Sequence, residues 1–110
     1  MKTDYNSVVE EFIVYIESVK KLSENTVLAY KTDLELLGKN LSSLYGKEYG
    51  KESFSIDDIT TEDLRTSVSF LVRKNFSPAR VNRFISAFKS LFAYCKRLQY
   101  ISINPSFEVK

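Results

Sequence analysis

The stretch from Asn75 to Tyr100, NFSPARVNRFISAFKSLFAYCKRLQY, constrains the chain more than any other, because it reads as one long amphipathic helix that carries its own start signal. Ser77 suits an N-cap, and Pro78 suits the first helical position, where its missing N–H costs nothing and its fixed φ is already helical. Val81, Phe84, Ile85, Phe88, Leu91, Phe92, Cys95 and Leu98 then recur at three- and four-residue spacing. One stripe is thus continuously apolar and must face a core. A helix running from Pro78 to about Tyr100 would be ~34 Å long, close to one turn of duplex DNA. Turned away from the stripe on a 3.6-residue wheel lie Arg80, Arg83, Ala87, Ser90, Tyr94 and Arg97, a face of cations and small residues. That second face is where function is to be sought.

So wide a stripe needs apolar partners, and three further segments supply them. Val8, Val9, Phe12, Ile13, Tyr15, Ile16 and Val19 predict a helix from about Asp4 to Lys20, with Asp4 or Asn6 as cap and Glu10, Glu11 and Glu17 outside. A second helix opens at Ser23 and runs to about Tyr45 on the stripe Val27, Tyr30, Leu34, Leu37, Leu41 and Leu44. Asn25, Ala29 and Thr32 share its opposite side, and Gly38 is a weak point where it could bend or end early. The segment from Gly46 to Asp58, GKEYGKESFSIDD, loses its period and reads as a surface loop, more a tolerated insertion than a site. Thr60 or Thr61 caps a third helix with Glu62 and Asp63 in its first turn and Leu64, Val68, Leu71 and Val72 as its apolar line. It stops near Asn75, a residue that tolerates the left-handed conformation at a helix end. The fold class is therefore all-α.

At 110 residues the chain is expected to be one domain, covering residues 1–105, with 106–110 leading towards something further. The net charge of +2 hides an uneven distribution: residues 1–64 sum to −6 and residues 65–110 to +8. A basic half in a helical domain is the footprint of a polyanion partner, and a basic surface that merely balances an acidic one fits the same count. No apolar run reaches the ~20 residues of a membrane span, and the polar, acidic MKTDYNSVVEEF start does not read as a secretory signal. The lone Cys95 sits on the apolar stripe as a small core residue and fits a reducing cytoplasm. There is no histidine, no Cys/His cluster for zinc and no Gly-rich loop for a nucleotide, so neither a metal nor a cofactor is expected. The seven tyrosines, Tyr30 and Tyr94 included, lack the neighbouring base or cation cluster that an activated nucleophile needs.

Four motifs in order, LSENTVLAYKTDL at Leu22–Leu34, DITTEDL at Asp58–Leu64, FSPARVNRFISAFKSLFAYCKR at Phe76–Arg97 and INP at Ile103–Pro105, resemble the N-terminal core-binding domain of tyrosine recombinases, the phage-integrase and Xer group. The resemblance covers nearly the whole chain. It implies a four-helix SAM-like domain, two antiparallel helix pairs packed crosswise, forming one half of a clamp around double-stranded DNA. A C-terminal catalytic domain of the same protein would form the other half, and other recombinase subunits would join it in a synaptic tetramer. The isolated domain would be monomeric and not itself an enzyme, because in this family the nucleophilic tyrosine and its helpers belong to the catalytic domain. The DNA-facing positions implied on the second helix are Asn25, Thr26 and Thr32, with the Ser23 cap nearby; those on the fourth are Ser77, Arg80 and Arg83. Lys74 and Asn75, beside the start of the fourth helix, are placed for phosphate contacts.

Two departures accompany the resemblance: Lys89 stands where the family commonly has Arg, and Leu98-Gln99-Tyr100 runs on without the glycine that usually ends the fourth helix. A reading from another class also fits the pattern, a helical protein-interaction domain whose second and fourth helices engage an acidic or helical partner without reading DNA.

Overall fold

Four short polar side chains set where the helices begin. The computed structural model describes residues 3–110, so the first two residues of the expected domain lie outside the description. Asp4 caps α1 (Tyr5–Ser18), Ser23 caps α2 (Glu24–Leu44), Thr60 caps α3 (Thr61–Arg73) and Ser77 caps α4 (Pro78–Arg97), each accepting a backbone N–H three residues on. At α3 the cap is reciprocal, with the Asp63 carboxylate returning to the Thr60 N–H. Among the described residues the only further regular element is a single 3-10 turn at Ile56–Asp58, and strand pairing is limited to one bridge between Asp4 and Ser55. None of these helices is long and apolar enough to cross a membrane.

α2 is the central element, packing against α1, α3 and α4, while α4 also touches α1 and α3. Phe84, Phe88, Leu91 and Phe92 of α4 interlock with Leu34, Leu37 and Leu41 of α2, Val8 and Phe12 of α1 and Leu64 and Leu71 of α3, all essentially withdrawn from solvent. Phe84 and Phe88 meet edge to face at 5.5 Å and 85°, the arrangement that the ring quadrupole favours. A radius of gyration of 13.2 Å is that of a single core at this chain length.

Several expectations change once the helices are packed. Gly38 does not end α2, which runs on to Leu44; it makes room, since a Cβ there would lie 3.1 Å from the Tyr5 ring and 3.2 Å from that of Tyr49. The region 46–58 is only half a surface loop. Phe54 stacks on Tyr5 at 5.1 Å, Ile56 is fully buried, and the bonds Tyr5 N–H to Phe54 O and Ile56 N–H to Thr3 O fix the segment to the start of α1. α4 stops at Arg97, not Tyr100, because Gln99 turns left-handed at φ 64° while the Gln99 and Tyr100 N–H groups fold back on Lys96 and Cys95 carbonyls. Its length is therefore nearer ~30 Å. Val19 and Val72, expected on apolar stripes, are exposed. Beyond α4, Ser106 and Val109 are buried and the Thr61 hydroxyl donates to the Pro105 carbonyl, so residues 105–109 lie on the domain near the start of α3.

Candidate nucleic-acid interface

The face of α4 opposite the core stripe turns out to be partly covered. Ala87 and Tyr94 are buried, and Ser90 pairs with Tyr30 across to α2 at 3.4 Å. Ala29 on α2 and Ala87 and Ser90 on α4 are small enough to let the two helices approach closely, which brings the first turns of both to one side of the molecule. There Asn25, Thr26, Ala29, Tyr30 and Asp33 of α2 and Arg83, Ser86 and Ala87 of α4 line an open depression of about 340 Å³.

Asp33 governs the electrostatics of this depression. Its side chain is 1 % exposed and receives both Arg83 Nε and Arg83 Nη2 at 2.8 Å, a bidentate pair. Arg80 Nε lies 3.6 Å from the same carboxylate, is buried and has no hydrogen-bond partner, while its guanidinium sits 5.1 Å from the Phe76 ring centroid. One carboxylate thus stands against two guanidinium groups, leaving one net positive charge. The Asp33 hydrogen bonds push the Arg83 pKa further up from its already high value, so the group is a fixed cation.

The candidate residues divide around this centre. Asn25, Thr26 and Arg83 share the depression and Arg80 joins them through Asp33. Thr26 is already engaged, its N–H donating to the Ser23 hydroxyl and its own hydroxyl accepting from it, whereas Asn25 is exposed. Ser77 does not line the depression but caps α4 by accepting the Arg80 N–H at 3.1 Å. Thr32 is exposed on α2, and Lys74 and Asn75 are exposed in the turn leading to α4, where Asn75 takes the expected left-handed φ of 63°. Sequence reasoning missed Asp33. The signal was available: a carboxylate three residues after Tyr30 on an otherwise apolar stripe needs a cation to be buried at all.

At the far end of α4, Arg97 lies over the rings of Tyr15 and Tyr94, 5.3 and 5.6 Å from their centroids. The Tyr94 and Tyr100 hydroxyls both donate to Glu11. Burial first, and then Glu11, pushes the Tyr94 pKa up, the direction away from a phenolate nucleophile.

Residues 9–99 match the family described as phage integrase, N-terminal SAM-like domain. The chain belongs to that family. Among curated relatives of this SAM-like domain, the tyrosine recombinase XerC of Treponema denticola is 26% identical over 105 residues, covering 96% of this chain and 32% of the relative. XerC of Roseiflexus castenholzii is 30% identical over 101 residues, covering 92% and 30%. The tyrosine recombinase XerD of Staphylococcus haemolyticus is 29% identical over 100 residues, covering 91% and 32%. The SAM-like domain thus spans about a third of the length of the recombinases it resembles. No solved structure matches it at a significant level.

Proposed function

We propose that this SAM-like domain binds double-stranded DNA as the N-terminal core-binding module of a site-specific tyrosine recombinase, gripping a recombination half-site in the cytoplasm. The observation that carries the reading is the convergence of Asn25 and Thr26 from α2 with Arg83 from α4 in one open depression, with Arg80 alongside. Two helix starts, exposed amide and hydroxyl groups and a net positive centre form the combination that reads base edges while holding phosphates. Ser23 and Ser77 fix those starts, and Asn25, Thr26, Thr32, Lys74, Asn75, Ser77, Arg80 and Arg83 form the DNA-facing set. Strand cleavage and rejoining belong to a C-terminal catalytic domain of the same protein, and other subunits complete a synaptic tetramer.

Duplex binding measured against salt tests the reading. Arg80→Ala removes a phosphate contact and lowers the log–log slope by about 0.9. Arg83→Ala weakens binding to the preferred duplex, and a double variant that binds as the wild type does overturns the proposal.

A second reading draws on the groove between α1 and α2, where Val14 is 59 % exposed among Ile13, Glu10, Glu35 and Lys31. That surface suits a helical protein partner. Chemical-shift mapping with duplex DNA separates the two: shifts at Asn25, Arg80 and Arg83 support DNA binding, and shifts confined to the α1–α2 groove around Glu10, Val14, Lys31 and Glu35 support the protein partner.

A further inference from the structure

The Asp33 carboxylate raises a question that DNA binding in general does not answer, since a buried anion beside the proposed contact surface opposes phosphate. We infer that Asp33 is a positioning residue that holds Arg83 as a fixed two-donor fork for a guanine in the major groove, an inference that rests on the DNA-binding reading above.

Arg83 spends Nε and one Nη2 hydrogen on Asp33, both at 2.8 Å. The planar guanidinium keeps its other edge, Nη1 and the outer Nη2 hydrogen, turned away from Asp33, and the side chain is 45 % exposed on the wall of the depression. Two coplanar donors call for two adjacent acceptors, and in the major groove only guanine presents such a pair, O6 and N7. Charge points the same way. A guanidinium whose charge is balanced by a carboxylate attracts a phosphate weakly, because the carboxylate repels it, yet its hydrogen-bond donors remain intact for a neutral base edge. Arg80 differs: it makes no hydrogen bond to Asp33 and lies over the Phe76 ring, so it is the freer cation. The two arginines therefore divide the work, Arg80 holding phosphate and Arg83 reading a base. Ala29 and Ala87 give the depression an apolar floor where the edge of a base pair meets no competing charge.

The test is selection of duplexes from a random-sequence pool by the 110-residue chain, followed by affinity measurements on the selected duplex. The wild type selects a fixed guanine, and replacing that G·C pair weakens binding about 5- to 150-fold, the worth of one bidentate contact. Replacing the guanine with 7-deazaguanine, which lacks the N7 acceptor, weakens wild-type binding severalfold. Asp33→Asn releases both arginines: binding to random duplex strengthens and the guanine preference collapses. A merely structural Asp33 would leave the preference intact in whatever fraction folds, and an inhibitory one would raise all affinities with the preference unchanged; either result overturns the inference. Should Asp33→Asn fail to fold, Arg83→Ala, at a half-exposed side chain, carries the test. It must bind the guanine and 7-deazaguanine duplexes equally, and retained sensitivity overturns the inference. A wild-type pool with no fixed guanine also overturns it while leaving DNA binding standing, whereas no binding to any duplex sinks the broader reading.

Discussion

The Tyr94 hydroxyl donates to Glu11 Oε2 at 2.5 Å, joining α4 to α1 across 83 positions of sequence. Tyr100 donates to both oxygens of the same carboxylate at 2.8 Å, so one surface acid secures the last turns of α4 and the chain three residues beyond its end. Because the Tyr94 ring is buried, losing Glu11 leaves a hydroxyl without its acceptor. Glu11→Ala is expected to cost about 1–2 kcal/mol and to lower Tm by about 5–10 °C. Glu11→Gln, which keeps an acceptor oxygen, should cost less than half as much. Thermal unfolding followed by circular dichroism checks the order; equal Tm values for the wild type and Glu11→Ala would show that the carboxylate holds nothing.

Alkaline pH should weaken the fold, and the sign follows from the buried acids. Burial pushes the Cys95 thiol up from 9.0 to about 12, and burial is also the first cause that raises Tyr5, Tyr45 and Tyr94 above their ordinary value. Folded-state pKa values above the unfolded ones mean that the native state binds more protons, so stability is fully present below the unfolded pKa and falls as pH rises through the gap. The decline should begin near pH 9 with Cys95 and steepen above about pH 10 as the tyrosines join. In Glu11→Ala the Tyr100 pKa, raised first by its Glu11 hydrogen bond, loses most of its rise and Tyr94 keeps the part due to burial, so the stability gap to the wild type narrows above pH 10 through Tyr100 first. Urea unfolding at successive pH values measures both effects, and a gap that widens with pH would refute the Glu11 assignment.

The four helices, the Ser23 and Ser77 caps and the basic character of the early α4 turns were legible in the sequence because each rests on local spacing. Those two caps act within one turn, where a linear reading is complete, while Asp4 and Thr60 were each one of two candidates until the packed helix starts decided between them. Asp33 was only half legible: a carboxylate beside an apolar stripe calls for a cation, but local spacing does not say that the cation is Arg83, 50 positions away. The same holds for Phe54 and Ile56: no periodicity marks them, and backbone bonds to Tyr5 and Thr3 hold Ile56 in the core and Phe54 half-buried against it. The α4 face that looked free is covered in two ways: the small Ala87 lets α2 close in, and the Tyr94 ring packs against Phe12 and Tyr15 of α1.

Gly38 gives a prediction opposite to its helix propensity. In an exposed helix interior, Gly→Ala gains roughly 1 kcal/mol. Here the new methyl would sit 3.1 Å from the Tyr5 ring, which cannot retreat, because Tyr5 is 1 % exposed and its hydroxyl donates to the Leu34 carbonyl at 2.7 Å. Overpacking costs about 1–3 kcal/mol, so Gly38→Ala should destabilise by about 1 kcal/mol net. Tyr5→Leu, which removes the obstructing ring edge, should make the same Gly38→Ala change neutral or stabilising, and a double-mutant cycle without such coupling would contradict the packing argument.

Gln99 and Lys21 occupy left-handed positions, at φ 64° and 54°, that glycine fills at lower cost. A side chain there pays about 1 kcal/mol or more in backbone strain, and glycine repays part of that through the greater freedom of its unfolded state. Gln99→Gly is the cleaner case: the backbone bonds from Gln99 to Lys96 and from Tyr100 to Cys95 persist, and the Gln99 side chain is exposed. It should stabilise by about 0.5–1 kcal/mol and raise Tm by about 3–6 °C. Asn75→Gly, at φ 63°, should gain less, because asparagine tolerates that conformation better than glutamine does. Since Asn75 is also a proposed DNA contact, its variant should lose duplex affinity while Gln99→Gly keeps it. Denaturant midpoints and duplex titrations on the same two proteins would separate the helix-end role from the binding role.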